Sequence, residues 1–550
     1  MAGKPGTQTV GNVEIPAEQR TPLVETLLRM IAELQATVES QRQRIAELED
    51  EFRRLKGLPE KPKRQKQSSP LNDPDGLPSA AGGKTRKRRK GKRPGSAKRS
   101  KTRDLTFHQS VPLRLDGLPE GTRFLGYKTF VVQDLRVEPH NTRYCRGRYE
   151  LPDGTIVTAP LPDSLDSHFG PTLRQYVLYQ HFHNHVTQPL LHEELLELGV
   201  DISAGQVNRL LTEGHERFHQ EKDSLLPAAR EVSTYLQTDD TSARHRGQAG
   251  HTLHIGNDLF ATFFTTDTKS RVNFLKILLQ PYHDYLFDGD ALFYLEWFGV
   301  SDKRLQQLGS VAGGTYADDA SWEAQLDAWE ITSPELRRLM TEAALWASML
   351  AHNLCRDMVL VSDDAAQFKV LGFLHALCWV HMERHIAQLI PVTDAQRAAH
   401  EAVRDQIWKY YQRLKAYRES PTPQWRGRLE QDFDRLFQQH TGWSELDEAL
   451  RTIHAKKSEL LVVLEHPEIP LHNNLSENDI RQYVKKRKIS AGTRSDAGRR
   501  CRDTFLSLKT TARKLGVAFW SYLRDRIQQL NDIPPLADLI RRKAAEAAKA

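Results

Sequence analysis

Three apolar segments follow one another between residues 232 and 268, and they limit the possible folds more than any other feature. VSTYLQTDD, GHTLHIGND and LFATFFTTDT are rich in β-branched and aromatic residues and are separated by short turns, so they predict three strands in a meander. SRVNFLKILL follows directly and predicts a helix. Further along, MVLVS predicts a short buried strand, and we expect a helix over 370–390. This order of elements indicates an α/β fold.

Acidic pairs end two of the predicted strands. Asp239-Asp240 closes the first strand, Asp363-Asp364 follows MVLVS, and Glu477 lies on a predicted helix after an Asn-Asn turn. Two acids at strand ends and a third on a helix suit two-metal phosphoryl transfer, because Mg²⁺ prefers carboxylate oxygens. The pattern does not choose between the two acids of each pair. Asp318-Asp319 is set aside, because no apolar strand precedes it.

The first hundred residues separate by composition. We expect disorder over 1–21, a coiled coil over 22–56 and a basic, Pro- and Gly-rich disordered linker over 57–104. The coiled-coil prediction rests on an apolar seam with alternating spacings of four and three residues, which favours a homo-oligomer, most simply a dimer. A single amphipathic helix is the alternative.

The basic charge of the chain is concentrated in the linker. Twelve Lys and Arg and no acid lie over 84–103, and removing them from the net charge of +7 leaves −5. Such an arm suits DNA. The residues of the arm that we expect to bind DNA are Lys84, Arg86, Lys87, Arg88 and Arg89.

Two small regions are predicted before the α/β core. Residues 105–168 read as a β-rich module, with strands in RFLGYKTFVVQDLRVEP and TRYCRGRYELPDGTIVTAPLP and a hairpin turn at Asp153-Gly154. Residues 169–230 are predicted to be helical, with helix-turn-helix spacing around Gly199 and Ser203 as an N-cap. The side chains that would face DNA are Gln206, Asn208 and Arg209. Ordinary helical packing is the alternative.

The predicted catalytic core spans 231–492 and contains a helical insertion over 281–353, and 493–550 is predicted to be a C-terminal helical region. A basic run lies beside Glu477, and we expect it to hold DNA phosphates. The alternative for this run is a solvated basic surface. Its candidate residues are Arg481, Lys485, Lys486, Arg487, Lys488 and Arg494.

Several classes of protein are disfavoured by the sequence. No apolar run of eighteen residues and no apolar signal segment occur, so a cytoplasmic location is expected. The four cysteines form no C-x-x-C pair, which argues against a zinc ribbon. Cys378 and His381 form a C-x-x-H pair, which fits a buried cysteine and a histidine on a helix face at least as well as a pair that supports a site. Zinc is not expected at His381 and His385, nor a metal over 181–185.

Several stretches resemble one known family. TDDTSARHRG, VSDDAAQF, LCWVH and IPLHNNLSENDIRQYVKKRKISAGTRSDAG are similar to bacterial insertion-sequence transposases of the IS-sixty-six type, as is TFLSLKTTARKLGVAFWSYLRD. The resemblance implies an RNase H-like core in which Asp239, Asp363 and Glu477 bind two Mg²⁺ or Mn²⁺ ions. It implies that water cleaves the element ends first and that the freed 3′-hydroxyl then attacks target DNA. Double-stranded DNA, accessory proteins of the element and a place in the bacterial nucleoid follow from it. It also implies a structural or site-supporting role for the pair Cys378 and His381.

Two departures from the family pattern stand out. Relatives carry cysteine pairs before the catalytic core, and this chain has none there. The interval between the first and second Asp is long, which is why an insertion is predicted. A non-catalytic DNA-binding protein or repressor with an inert RNase H-like domain is the alternative function, and a host nuclease is a third. Convergence of the three carboxyl groups would favour the enzyme.

Overall fold

The computed structural model describes residues 8–10, 13–15, 106–117, 119–162, 167–354 and 358–549. The chain divides into two units, 1–68 and 69–550. In the first unit, strands β1 (Gln8–Val10) and β2 (Val13–Ile15) pair antiparallel, inside the segment for which we expected disorder. The coiled coil, the basic linker and the arm residues Lys84, Arg86, Lys87, Arg88 and Arg89 lie outside the described residues and stay predictions.

The predicted β-rich module contains one hairpin in its described part. Strands β3 (Arg148–Glu150) and β4 (Ile156–Thr158) pair antiparallel around the predicted Asp153-Gly154 turn, where Gly154 has φ +83°. The segment RFLGYKTFVVQDLRVEP forms no strand, in disagreement with our prediction. Its apolar side chains, such as Phe130 and Leu135, are exposed. Alternation alone predicted a strand there, but a strand also needs a partner for its backbone groups.

Helices dominate residues 171–232. Their bounds are α1 (Pro171–Leu178), a π-helical turn (Tyr179–His183), α2 (Gln188–Glu197), α3 (Ala204–Thr212), α4 (Glu216–Asp223) and α5 (Leu225–Val232). Gly199 adopts φ +82° between α2 and α3, a conformation that L side chains rarely adopt. Ser203 is the N-cap of α3 and forms a reciprocal capping box with Gln206, as its position in the sequence predicted.

A five-stranded mixed sheet forms the centre of the second unit. Its strands are β5 (Tyr235–His245), β6 (Gln248–Gly256), β7 (Ala261–Thr266), β10 (Val359–Ser362) and β11 (Leu374–Leu377), and their order is β11-β10-β5-β6-β7. The first three strands form the predicted antiparallel meander, and α6 (Arg271–Leu279) follows it. The first strand does not end at the Asp239-Asp240 pair as predicted, because β5 stays paired with β6 as far as His245. Strand β10 pairs parallel with β5, and β11 pairs parallel with β10.

The helix predicted over 370–390 is shorter in the structure. Its first part is strand β11, and the helix α11 (Trp379–Ala387) begins only after Cys378. Strand β11 has the sequence LHAL, and a strand of four residues is too short for its periodicity to distinguish it from a helix.

The segment predicted as a helical insertion is mostly helical, with a small sheet. Its elements are β8 (Tyr285–Phe287), α7 (Gly289–Trp297), α8 (Asp302–Gly309), β9 (Gly314–Tyr316), α9 (Asp319–Ala328) and α10 (Pro334–Ala351). Strands β8 and β9 pair antiparallel. Trp322 is fully buried in this region and belongs to the same apolar core as Leu236 of β5, so the insertion shares a core with the sheet.

A second apolar core lies beside β10 and β11. Helices α11, α12 (Asp394–Glu419), α13 (Pro423–Phe437), α14 (Ser444–His454) and α15 (Lys457–Leu460) supply it. The C-terminal helices are α16 (Asn474–Ser490), α17 (Asp496–Lys514), α18 (Phe519–Gln528) and α19 (Leu536–Ala547). In the described part of the chain, no helix has the length and apolar character needed to cross a membrane.

Helix α17 covers the outer edge of β7. Asp503 accepts a hydrogen bond from the backbone N–H of Thr265 (2.7 Å), Ser507 from that of Phe263 (2.9 Å), and Thr511 from that of Ala261 (3.0 Å). The three helix residues are four positions apart, so they share one face of α17. The three strand residues are two positions apart, so their N–H groups point to the same edge of β7. The match satisfies the donors that an edge strand would otherwise leave free.

Candidate active site

Asp239 and Asp363 lie next to each other on neighbouring strands. Val361 of β10 is in register with Gln237 of the parallel strand β5, and each Asp lies two residues further along. Adjacent strands are about 4.8 Å apart, and residues two apart point to the same face. The parallel pairing therefore brings together two acids that are separated by more than a hundred residues in the sequence.

Helix α16 brings Glu477 to the same place. The buried Asn473, just before the helix, donates its side-chain N–H to the carbonyl of Thr238 (2.7 Å), the residue before Asp239. The backbone N–H of Ser476 donates to the side chain of Gln237 (3.3 Å). The first turn of α16 is thus attached to β5 directly beside the first acid.

The two acids of each pair have different partners. Asp240 lies 2.9 Å from the Lys269 ammonium and accepts a hydrogen bond from Gln367 (2.7 Å). Asp364 forms ion pairs with Lys369 (2.8 Å) and Lys456.

The first acid of each pair has no such basic partner. Asp239 accepts a hydrogen bond from the N–H of Asp240 (2.8 Å) and Asp363 from that of Ala365 (3.2 Å). Among the described residues, neither forms an ion pair with a base. The second acids are thus neutralised by lysines, whereas no base among the described residues compensates the first acids.

The clustering of acids changes the protonation of Asp239. Burial raises the pKa of Asp239 to about 7, and the negative charges of Asp363 and Glu477 add to the shift. The negative charges of Asp363 and Glu477 act on Asp239, which is consistent with carboxylates that lie near one another.

Glu477 is surrounded by basic groups in this structure. Its carboxylate lies 3.4 Å from Arg384, 3.3 Å from Arg481 and 3.8 Å from the ring of His381. Across the described ranges, no three His, Cys, Asp or Glu side chains are arranged to hold a metal ion. The donor chemistry nevertheless fits a hard cation, because it consists of carboxylate oxygens and two of the three acids have no basic partner in the part of the chain that the structure describes.

A buried network supports the turn that carries Glu477. His254 of β6 is the cross-strand neighbour of Asp239 and is fully buried. One of its ring nitrogens is hydrogen-bonded to Ser476 (3.0 Å), and the other lies 3.3 Å from Asp479. We call Ser476, His254 and Asp479 the Glu477 network. Lys514 lies 2.8 Å from Asp479 and balances its charge.

A similar network lies behind Asp363. The hydroxyl of Ser362 is 2.7 Å from Nε2 of His375 on β11, and Nδ1 of that ring is 3.2 Å from Glu459. We call Ser362, His375 and Glu459 the Asp363 network. Both serines are fully buried, so neither can act as a nucleophile on a substrate. Each network instead fixes the residue that precedes an acid. Sequence reasoning missed both, because their members are distant in the chain.

Comparisons with known proteins match the part of the chain that contains two of the three acids. Residues 343–500 match the family model described as Transposase IS66 family. A protein of Sinorhizobium fredii named "Uncharacterized protein y4jO" is 41% identical over 323 residues, which make up 58% of this chain and all of that protein. The chain belongs to the Transposase IS66 family. The matched residues of this transposase include Asp363 and Glu477, and Asp239 precedes them.

Cys378 has a structural position in the transposase. It is fully buried just before α11, and its sulfur accepts a hydrogen bond from the backbone N–H of Asn473 (3.2 Å). Burial raises the pKa of its thiol to about 11, so the thiolate is not available near neutral pH. His381, its C-x-x-H partner, lies next to Glu477. The two residues therefore hold α11 and α16 together at the acids.

One residue of the predicted basic run is not on the surface. Lys486 is 0% exposed and donates a hydrogen bond to the carbonyl of His181 (2.6 Å). It cannot reach DNA, in disagreement with our prediction. Lys486 shares the inner face of α16 with the buried Tyr483 and Asp479, a spacing of four and three residues that was visible in the sequence.

The other members of that run remain accessible to a ligand. Arg487 is half-buried and donates a hydrogen bond to Ser242 (2.8 Å). The residues of the run with exposed side chains are Arg481, Lys485, Lys488 and Arg494.

The predicted DNA-binding residues of the helix-turn-helix region also include some that are free to bind a ligand and one that is not. Gln206 accepts a hydrogen bond from the backbone N–H of Ser203 (3.0 Å) in the capping box, so its side chain is already used. Asn208 and Arg209 are exposed on α3. Val207 and Leu211, on the opposite face, are buried in the main core.

Proposed function

We propose that this chain is a DNA transposase that cleaves and joins strands at the ends of an insertion sequence. One observation carries the proposal: the parallel register of β5 and β10 puts Asp363 beside Asp239, and α16 is attached to β5 with Glu477 in its first turn. Membership of the transposase family supports a reaction on DNA. We assign Asp239, Asp363 and Glu477 as the catalytic acids.

The sheet supports an RNase H-like core. An antiparallel meander of three strands, extended on the side of its first strand by two parallel strands, is the arrangement of that fold, and the order β11-β10-β5-β6-β7 agrees with it. In this proposal Asp239 lies on the central strand β5, Asp363 directly follows β10, and Glu477 lies on the helix packed against β5. Rigid elements of this kind hold ligands more accurately than loops do.

The three acids would hold two Mg²⁺ or Mn²⁺ ions, since their oxygen donors suit these cations. When bound, two such ions activate a hydroxyl nucleophile and stabilise the leaving oxygen of a phosphodiester. The acids of the chain position this centre, and the ion pairs of Asp240 and Asp364 keep those two acids out of it. Exposed basic residues of α16 and the following loop bind the DNA backbone, namely Arg481, Lys485, Lys488 and Arg494.

The reaction has two steps in this proposal. A water molecule attacks a phosphodiester at the element end, its oxygen bonds to phosphorus, and the bond to the 3′-oxygen breaks to leave a free 3′-hydroxyl. That hydroxyl then attacks a phosphodiester of the target DNA. Its oxygen forms the new bond to phosphorus, and the strand of the target that ends in the leaving oxygen is released.

Glu477→Gln tests the proposal, because it keeps the shape of the side chain and removes its charge. We expect cleavage of DNA carrying the element ends in Mg²⁺ to fall by at least about 10³-fold, because acids that act as one unit lose most of their catalysis together. Gel-shift affinity for the same DNA should stay within a few-fold. Asp318→Asn is the control, since Asp318 caps α9 and Asn caps a helix equally well.

Cleavage by Glu477→Gln at the parental rate would mean that the acids are misassigned. The non-catalytic DNA-binding alternative would then be the better account of the chain.

A further inference from the structure

The π-helical turn Tyr179–His183 ends against two buried lysines. Lys486 of α16 donates to the carbonyl of His181 (2.6 Å), and Lys509 of α17 lies 3.3 Å from the carbonyls of Phe182 and His183. The C-terminal carbonyls of a helix attract cations. These contacts explain how the lysine side chains are oriented, but a carbonyl does not neutralise a charge.

No acid balances the lysines within the described residues. Burial lowers the pKa of Lys486 to about 6, and nearby Arg502 and Lys509 lower it further. Burial also lowers the pKa of Lys509 to about 8, with contributions from Arg513 and Lys485. All of these neighbours are basic, and unpaired positive charge of this kind is costly to hold inside a protein.

Accessible groups with free donors surround the buried pair. Lys485 is exposed and forms no ion pair with another described residue. The side chain of Arg513 is 58% exposed and lies 3.8 Å from Asp479, whose charge Lys514 already balances. The rings of His183 and His185 are half-buried, and their Nδ1 atoms are themselves buried and have no hydrogen-bond partner in the described structure.

Aromatic rings border the same surface. The ring of His183 stacks on Tyr179 with centroids 4.4 Å apart, and Tyr179 meets Trp520 edge to face at 5.1 Å. Trp520 is 39% exposed. Basic side chains interleaved with exposed rings are typical of surfaces that bind nucleic-acid strands.

Helix α16 connects this surface with the acids. Glu477, Arg481, Lys485 and Lys488 follow one another at spacings of four, four and three residues, so they share one helix face. At about 1.5 Å of rise per residue, Lys485 lies about 12 Å along the axis from Glu477. One DNA strand carries a phosphate about every 3.4 Å of axis, so this distance spans about three to four phosphates.

We propose that His183, His185, Lys485, Lys509 and Arg513 form a phosphate-binding pocket for the DNA strand that leads away from the cleaved bond. The identity of the ligand as DNA rests on the proposed function. The pocket adds to that function a direction for the DNA strand along α16. In this arrangement a DNA phosphate supplies the negative charge that no acid of the described chain supplies. The face of α16 between the acids and the pocket lies along the DNA backbone.

Binding without catalysis tests the pocket. The double variant Lys485→Ala/Arg513→Ala removes its two exposed charges, and Lys303→Ala/Arg428→Ala is the matched control, because both control residues are exposed and make no ion pair with another described residue. Affinity for a fluorescent duplex of fixed sequence would be measured in EDTA by anisotropy over a salt series. At about 0.15 M salt, we expect the pocket variant to bind about tenfold more weakly than the parent. The slope of log affinity against log salt should fall by about two phosphate contacts. The affinity of the control variant should stay within about twofold of the parent.

His183→Phe gives a second, independent readout. Phenylalanine keeps the stack on Tyr179 and removes the ring nitrogens, so binding should weaken by about three- to fivefold while the salt dependence stays the same, since the loss is a hydrogen bond and not a charge. Circular dichroism would verify that each variant is folded.

Equal binding by the pocket double variant and its control would overturn the pocket, whatever Glu477→Gln does. If the pocket variant binds weakly while Glu477→Gln still cleaves DNA at the parental rate, the pocket stands and the catalytic assignment falls.

Discussion

The two ends of helix α16 differ in the sign of the charge that the fold leaves unbalanced. At its N-terminal end, Asp239 and Asp363 have no basic partner among the described residues, although Glu477 beside them is bound by two arginines. At its C-terminal end, Lys485 and Lys486 have no acidic partner within the described residues. The arrangement follows the helix dipole, which favours acids near the first turn and bases near the last.

This difference indicates where ligands belong. A buried charge can instead be matched within the fold, as for Glu342, which lies within 3.3 Å of Arg271 and close to Arg338. A matched pair contributes to the fold and has no need of a third partner. An unmatched cluster is costly unless a ligand of opposite charge occupies it. We therefore interpret the acidic end as a cation site and the basic end as a phosphate site of the same DNA complex.

The largest expected effect separates the two acids of a pair. Asp363→Asn should lower DNA cleavage by at least about 10³-fold, as Glu477→Gln does, because the acids act as one unit. Asp364→Asn should lower it by no more than about tenfold, since Asp364 is neutralised by Lys369 and Lys456. Rates of end cleavage at saturating Mg²⁺ provide the measurement. Equal losses in the two variants would remove the distinction between matched and unmatched acids.

A smaller effect concerns the networks behind the acids. Ser476→Ala should raise the Mn²⁺ concentration needed for half-maximal cleavage by about tenfold, because groups that orient metal ligands typically contribute a factor of this size to metal affinity. Ser362→Ala should raise it less, since Glu459 in its network is 25% exposed and water can replace the lost hydroxyl.

Mn²⁺ binding by calorimetry and DNA affinity in EDTA separate this effect from misfolding. Weaker DNA binding with unchanged metal binding would assign the serines to the fold alone.

The smallest effect tests the basic end through pH. The pKa of Lys486 is about 6 in the folded chain and is ordinarily 10.5. Between these values the unfolded state binds more protons, so Lys486 makes the free energy of unfolding rise with pH. Lys486→Met should reduce that rise between about pH 7 and 9 by about 1 kcal/mol, less than one full proton would give. Urea denaturation at both pH values measures it, and an unchanged pH dependence would mean that burial and the neighbouring basic groups do not lower the pKa of Lys486.

The sequence predicted the elements of the site better than their arrangement. Apolar runs ending in acids predicted β5 and β10, and the Asn-Asn turn predicted the start of α16. The register that places Asp363 beside Asp239 depends on which strands pair, and no local pattern carries that information. Lys269 and Lys369 neutralise the second acid of each pair and so distinguish it from the first. These ion pairs could not be predicted, for the same reason.

Two errors have local causes. Strand β11 was predicted to be part of a helix, because a segment of only four residues has no periodicity that distinguishes a strand from a helix. Lys486 was predicted to bind DNA because it lies in a basic run, although its helix position relative to Tyr483 indicated the inner face. Charge in a run predicts a basic surface only when the helix face of each residue is considered.

The side chains with which α17 covers β7 also decide where the protein can be divided. A fragment ending at residue 492, the boundary we predicted for the catalytic core, would lack Asp503, Ser507 and Thr511 and leave three backbone donors of β7 bare at the sheet edge. A bare edge pairs readily with the edge of another molecule. We expect such a fragment to form intermolecular sheets when expressed, so the smallest unit suitable for biochemistry must extend through α17.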